Sequence, residues 1–221
     1  MDRLVSCRFA EKVSDVESRN RVWYIPHFGV QNVNKPGRVR LVFDAAAKSG
    51  NNSLNMLLPG LDLLKSLVGF FMRFRQFAYA VTSDIKDMFM GIEIIEQDRD
   101  EQRFLWQGKD RDREPDVYRM RVLLFGATSS TSTAIYVKNI NASKFAPIYP
   151  IASKKIIHNC YTDVYLDSLP SEEEAIEVGN QVKWINSLAE FKMHKWASNN
   201  SRVKIAISPE EASGTAESST Y

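Results

Sequence analysis

Two short strand-like segments, Ile156 to Tyr161 and Tyr165 to Leu169, are separated by little more than Asp163-Val164. That spacing leaves room only for a tight turn and predicts an antiparallel hairpin. A second pair, Arg103 to Trp106 and Val117 to Leu124, brackets the charged loop Lys109 to Asp116. Strands that alternate with helices ordinarily suggest βαβ units. Two hairpins argue instead for an α+β fold, an antiparallel sheet covered by helices on one face.

The remaining pattern fills in that plan. Asn34-Lys35-Pro36-Gly37 is a turn signal, and Arg38 to Phe43 then reads as a strand. Pro59 to Arg75 predicts a helix, with Leu61, Leu64, Val68 and Phe71 at helical spacing. Phe77 to Val81 is strand-like and delivers Asp84 at its end. A helix is expected over Ala127 to Ile140. Another is expected from Ser171, its N-cap, to Phe191, with three glutamates in its first turn. Lys192 to Ala197 reads as a last strand. Residues 1–22 are a polar lead-in, and residues 200–221, rich in Ser, Glu and Ala from Ser208 on, are expected to be a disordered tail.

Bulk numbers narrow the class. The chain has 221 residues, 44% hydrophobic and 25% charged, enough for a core. Its net charge of +2 gives no global pull toward nucleic acid, so any basic footprint must be local. Cys7 and Cys160 form no disulfide or zinc framework. The apolar stretch Leu61 to Met72 is too short and too interrupted to span a bilayer, and the first residues carry no signal-peptide core. The expectation is a soluble intracellular protein of the cytoplasm or nucleus with no membrane partner.

Asp84, at a strand end, and Asp163, in a hairpin turn, are the residues with chemical interest. Nucleotidyl transfer needs little covalent help from protein; it needs two divalent metals, about 3.5–4 Å apart, held by carboxylates. Mg²⁺ takes oxygen ligands and keeps water and substrate phosphates in its shell. Carboxylates converging at one sheet edge could supply this. From spacing alone, such an aspartate is more often a cap or turn residue.

The wider pattern resembles the reverse transcriptases of BEL/Pao-type LTR retrotransposons from about Trp23 to Asn199. The resemblance rests on Trp23-Tyr24-Ile25-Pro26-His27, the block Asn34 to Ala46, Gly60-Leu61-Asp62-Leu63-Leu64, and Ser83-Asp84-Ile85-Lys86-Asp87-Met88-Phe89. It continues through Arg103-Phe104-Leu105-Trp106, Phe125-Gly126-Ala127, the hairpin Cys160 to Ser168, and Lys195-Trp196-Ala197-Ser198-Asn199, in the family's order. It implies a fingers-and-palm fold over residues 23–199, with an antiparallel palm sheet backed by helices and no recognisable thumb, ribonuclease H, protease or integrase after Asn199. It implies an RNA-directed DNA polymerase working on an RNA or DNA primer–template and dNTPs with two Mg²⁺ ions.

Position by position, the resemblance makes Asp84 and Asp163 the metal-binding, catalytic pair. Phe89 would wall the sugar pocket, with Asp87 on the same turn. Arg40 would contact the triphosphate, with Lys35 and Arg38 nearby; an arginine fork suits bidentate phosphate contact. Arg73 or Arg75 are candidate additions to that basic cleft. Phe125 and Gly126 would lie against template and nucleotide, where glycine allows close approach.

The chain departs from the family pattern in two places. Ser130-Thr131 stands where the family has Ser-Pro, and Val164 stands where the Tyr-x-Asp-Asp hairpin has its second aspartate. Valine suits a strand but removes a carboxylate. Asp167, four positions past Asp163, would lie roughly 13 Å along a strand at ~3.3 Å per residue. It is therefore not expected to substitute. The expectation is a degenerate polymerase; its competitors are a non-catalytic, nucleic-acid-binding remnant and an unrelated α+β binding domain.

Overall fold

The computed structural model describes residues 1–14, 21–31, 39–110 and 112–212; Lys35 and Arg38 lie outside them. In chain order the helices are α1 (Asp2–Ser6), α2 (Leu67–Phe74), α3 (Ser130–Lys144), α4 (Pro150–His158), α5 (Glu172–Ser187), α6 (Ser201–Ile207) and α7 (Pro209–Ala212). The strands are β1 (Ala10–Lys12), β2 (His27–Gln31), β3 (Val39–Phe43), β4 (Tyr79–Ile85), β5 (Arg103–Trp106), β6 (Asp116–Met120), β7 (Cys160–Tyr161), β8 (Val164–Leu169) and β9 (Met193–Ser198). Every ladder between these strands is antiparallel, so the fold is α+β. The chain divides into two compact units, residues 1–60 with 89–131, and residues 61–88 with those from 132 on. No helix among the described residues is long and apolar enough to cross a membrane.

The first unit holds a three-stranded sheet of order β1-β6-β5 and the β2-β3 pair. Its core gathers Ile25, Phe43, Leu54, Phe104, Met120 and Leu124, all nearly sealed from water. The lead-in is not loose along its first part. Ala10 pairs with Met120 and is buried, while Glu11 accepts from Arg119 at 2.7 Å. Lys12 adds a second ion pair, to Asp116 at 2.7 Å, so that buried Ala10 and the charges beside it hold 10–12 at the sheet edge. Beside it, buried Asp100 accepts from Arg103 at 2.8 Å and from Arg119 at 3.3 Å. Its carboxyl is held below the usual range: burial alone pushes it up, and the two guanidinium groups outweigh that.

The second unit is built on a four-stranded sheet of order β7-β8-β4-β9. Helix α5 packs across β4, β8 and β9, burying Ala175, Val178, Val182 and Ile185 from one stripe. Ser171 starts it, its hydroxyl accepting from Glu174 N at 3.1 Å, with Glu172, Glu173 and Glu174 in the first turn.

Three sequence expectations are corrected here. Residues 59–66 are not helical; helix α2 begins only at Leu67, where the Ser66 hydroxyl accepts from Gly69 N. Within that stretch the Asp62 carboxylate accepts from Leu64 N at 3.2 Å, a local bond that competes with helix. Residues 156–158 belong to α4, not to a strand, and the hairpin's first strand is only Cys160–Tyr161. An apolar pair such as Ile156-Ile157 fits a buried helix turn as well as a strand. Lastly, two short helices, α6 and α7, occupy residues 201–207 and 209–212 in place of the expected disordered tail. Asn200 caps α6 by accepting from Arg202 N and Val203 N, and Val203 and Ile207 are buried. A methyl group on Gly179 of α5 would collide with Ile207, so glycine lets α6 approach closely.

Candidate active site

Strand β4 places alternate residues on opposite faces of its sheet. Val81, Ser83 and Ile85 are buried, while Thr82 and Asp84 are half-buried on the other face. On β8 the partners in register are Leu166 for Thr82 and Val164 for Asp84. Directly opposed residues share a face, so Val164 stands beside Asp84.

The hairpin turn sits one residue earlier than the sequence suggested. Cys160 pairs with Tyr165 and Tyr161 with Val164, leaving Thr162 and Asp163 as the loop. Thr162 has φ +53, an uncommon conformation for a β-branched residue. Val164 is thus the first residue of β8, not part of the turn. Asp163 is tied back to β4 through its carbonyl, which accepts from Ile85 N at 2.8 Å.

The two aspartates therefore sit at the same end of adjacent strands. The Asp163 carboxyl is pushed up from its ordinary value, first by burial and also by the negative charge of Asp84; a hydrogen bond from its own backbone amide, then Lys195 and His194, offset this in part. On the far side of β4, Asp84 pairs with His194. The register then slips between Thr82 and Asp84, a β-bulge that carries Lys195 at φ +55. Lys195 Nζ reaches Asp84 Oδ2 at 2.8 Å. Sequence reasoning placed Lys195 in a matching block but gave it no role. Nothing in its neighbours signals a left-handed lysine or a contact with a strand 111 positions away.

A pH-linked expectation follows for Asp163. Its folded pKa lies above the unfolded value, so the folded state holds this proton more tightly, and stability falls as pH rises through the window between them. Asp163→Asn should then stabilise the protein at pH 7, by less than about 1 kcal/mol, and leave stability at acid pH nearly unchanged. Urea unfolding at both pH values checks this; equal shifts at the two pH values would refute it.

The other candidates are distributed as follows. Asp87 belongs to the same unit as Asp84, at φ +49. In the first unit, Phe89 meets Phe125 edge to face at 5.4 Å. Gly126 has φ +101, and its carbonyl accepts from Asn55, whose Oδ1 also accepts from Thr128 N. Asn55 thereby braces the loop that presents exposed Phe125. Arg40 is exposed on β3, opposite Val30. Arg73 is committed elsewhere: its Nε donates to Asn159 at 2.9 Å and its terminal nitrogen to the His158 carbonyl at 2.7 Å, closing the end of α4.

Asp167 pairs with Val81, on the buried face opposite Asp84. It is fully buried and accepts from Lys155, Asn159, Tyr165 and the Ser168 amide. Strand parity, more than distance, removes it from the site.

Among the described residues no group of three or more His, Cys, Asp or Glu side chains is placed to hold a metal ion. The donor set at the sheet end is two carboxylates, one of them already bound to an ammonium, with valine beside them. That set does not fit a two-dication centre.

No protein-family model and no curated protein matches this chain. Among solved structures it is similar to a foamy viral protease–reverse transcriptase in complex with double-stranded DNA, with TM-score 0.60, 17% identity, 89% of this chain and 30% of that one. It is also similar to a prototype foamy virus protease–reverse transcriptase mutant, with TM-score 0.62, 18% identity, 87% of this chain and 22% of that one. The chain has a reverse-transcriptase-like fold and spans less than a third of either of these proteins.

Proposed function

We propose that this chain is the fingers-and-palm part of a BEL/Pao-type retroelement reverse transcriptase, an RNA-directed DNA polymerase domain that keeps its nucleic-acid-binding fold and has lost most of its nucleotidyl transfer. The observation that carries this reading is the end of β4. Asp84, on β4, and Asp163, in the turn that leads into the neighbouring β8, lie at the same end of the sheet, as a polymerase palm requires, but Val164 occupies the position in register with Asp84. An intact site would use two Mg²⁺ ions to stabilise the attacking and leaving oxygens. The residues present hold two carboxylates and an ammonium instead.

The foamy viral neighbour's complex with double-stranded DNA supports nucleic acid as the partner. In this chain Arg40, with Lys35 and Arg38, would supply local positive charge for a primer–template, and Phe89, Phe125 and Gly126 the apolar and backbone surface beside it. Phosphate contacts release counterions, so binding should weaken steeply with salt.

The test is fluorescence anisotropy with a labelled RNA–DNA hybrid at about 50 and 200 mM salt, in buffer without divalent metal. Three phosphate contacts would cost roughly 40-fold across that range, and Arg40→Ala should lower the log–log slope by about 1. Affinity that is indifferent to salt would rule out a phosphate-tracking surface and favour an unrelated binding domain.

A further inference from the structure

We infer that the Lys195 ammonium is the resident cation of the Asp84–Asp163 pair: it holds the place of a divalent ion, and any added dication must displace it. The inference rests on reading these aspartates as a palm carboxylate pair. Lys195 Nζ lies 2.8 Å from Asp84 Oδ2, and its charge also reaches Asp163.

Surface lysines are usually flexible, and single exposed ion pairs contribute little to stability. What sets this one apart is the backbone beneath it. Lys195 sits at φ +55, a conformation that persists in a non-glycine residue only where the surroundings hold it. Two anchors do so. The Glu211 carboxylate of α7 accepts from both Lys195 N at 2.8 Å and Trp196 N at 2.7 Å. On the other side, Ser83 Oγ donates to the His194 carbonyl at 2.8 Å. The bulge is thus clamped between β4 and α7, and the side chain it launches ends on Asp84.

The neighbours of Asp84 fit this assignment. Val164 offers no charge on one side, and His194 stands on the other with its imidazole pushed down, chiefly by burial. Two carboxylates and the Lys195 ammonium form a compact charge set. A dication entering it would face a like charge at close range.

Mn²⁺ titration of the full chain, followed by calorimetry and by loss of the free-ion electron-resonance signal, tests this without any activity assay. Lys195→Gly removes the ammonium, and glycine adopts positive φ freely, so the fold should be kept. It should bind Mn²⁺ at least about tenfold more tightly than the unmodified chain, the size expected for a single positive charge about 5 Å from a dication in a wet site. Lys195→Arg retains the charge and should show no gain. Adding Asp84→Asn to Lys195→Gly should abolish the gain.

Equal binding by the unmodified and Lys195→Gly chains, at any affinity, overturns the inference. So does a gain that survives Asp84→Asn. Hybrid binding in metal-free buffer is measured separately, so its loss would strike the functional reading and leave this result standing.

Discussion

Val164→Asp should extend a primer–template at least about a hundredfold faster than the unmodified chain when Mg²⁺ or Mn²⁺ is supplied. Position 164 is in register with Asp84 and half-buried on the same face, so an aspartate there adds a carboxylate without entering the core. Together with Asp84 and Asp163 it would leave negative charge that Lys195 alone does not balance. Metal stabilisation of a phosphoryl-transfer transition state is worth several kcal/mol. Each ~1.4 kcal/mol corresponds to tenfold in rate, so recovering about 3 kcal/mol accounts for the expected gain. The same substitution should lower folding stability, because a third carboxylate joins two that already repel. Val164→Asp combined with Asp84→Ala should remain inactive. If the unmodified chain already extends primers as fast as Val164→Asp, the second hairpin carboxylate is dispensable and the proposed loss of function is wrong.

Asp167→Ala should destabilise the protein by about 3–5 kcal/mol, the usual cost of removing one partner of a buried charge pair. Asp167 Oδ1 accepts from Lys155 Nζ at 2.8 Å, Asn159 Nδ2 at 2.7 Å and Ser168 N at 2.8 Å. Its Oδ2 accepts from the buried Tyr165 hydroxyl at 3.0 Å. The Tyr165 phenol is held well above its ordinary range, by burial first and then by Asp167, so it stays a donor throughout the usable pH range. Truncation would take the acceptor from the buried Asn159, Tyr165 and Ser168 donors. Domains of this size are stable by only about 5–15 kcal/mol, so the variant would lie near the unfolding threshold. Urea midpoints measure the effect. A loss under about 1 kcal/mol would mean that the buried set repairs itself. Aspartates four positions apart, Asp163 and Asp167, should therefore respond in opposite directions to loss of charge.

The sequence alone determined the elements whose signals are local. Ser171 followed by three glutamates starts α5, and the short segments of β5, β6 and β9 read as strands, because capping and strand preference act within a few residues. The residue types at 84, 163 and 164 were likewise readable, and with them that position 164 carries no carboxylate. Tertiary structure alone decided three other things. Ile156 and Ile157 fit strand or helix equally, and the choice fell to α4, where the Ile156 carbonyl accepts from buried Lys138. The turn fell at Thr162-Asp163 rather than at Asp163-Val164, because pairing with β4 sets Val164 opposite Asp84. The helices after Asn200 form because Val203 and Ile207 are buried and Glu211 caps the bulge at Lys195. The contact of Lys195 with Asp84 joins positions 111 apart. Its geometry depends on a register slip in β9 that no local periodicity encodes, since a bulge is chosen by the pairing of whole strands.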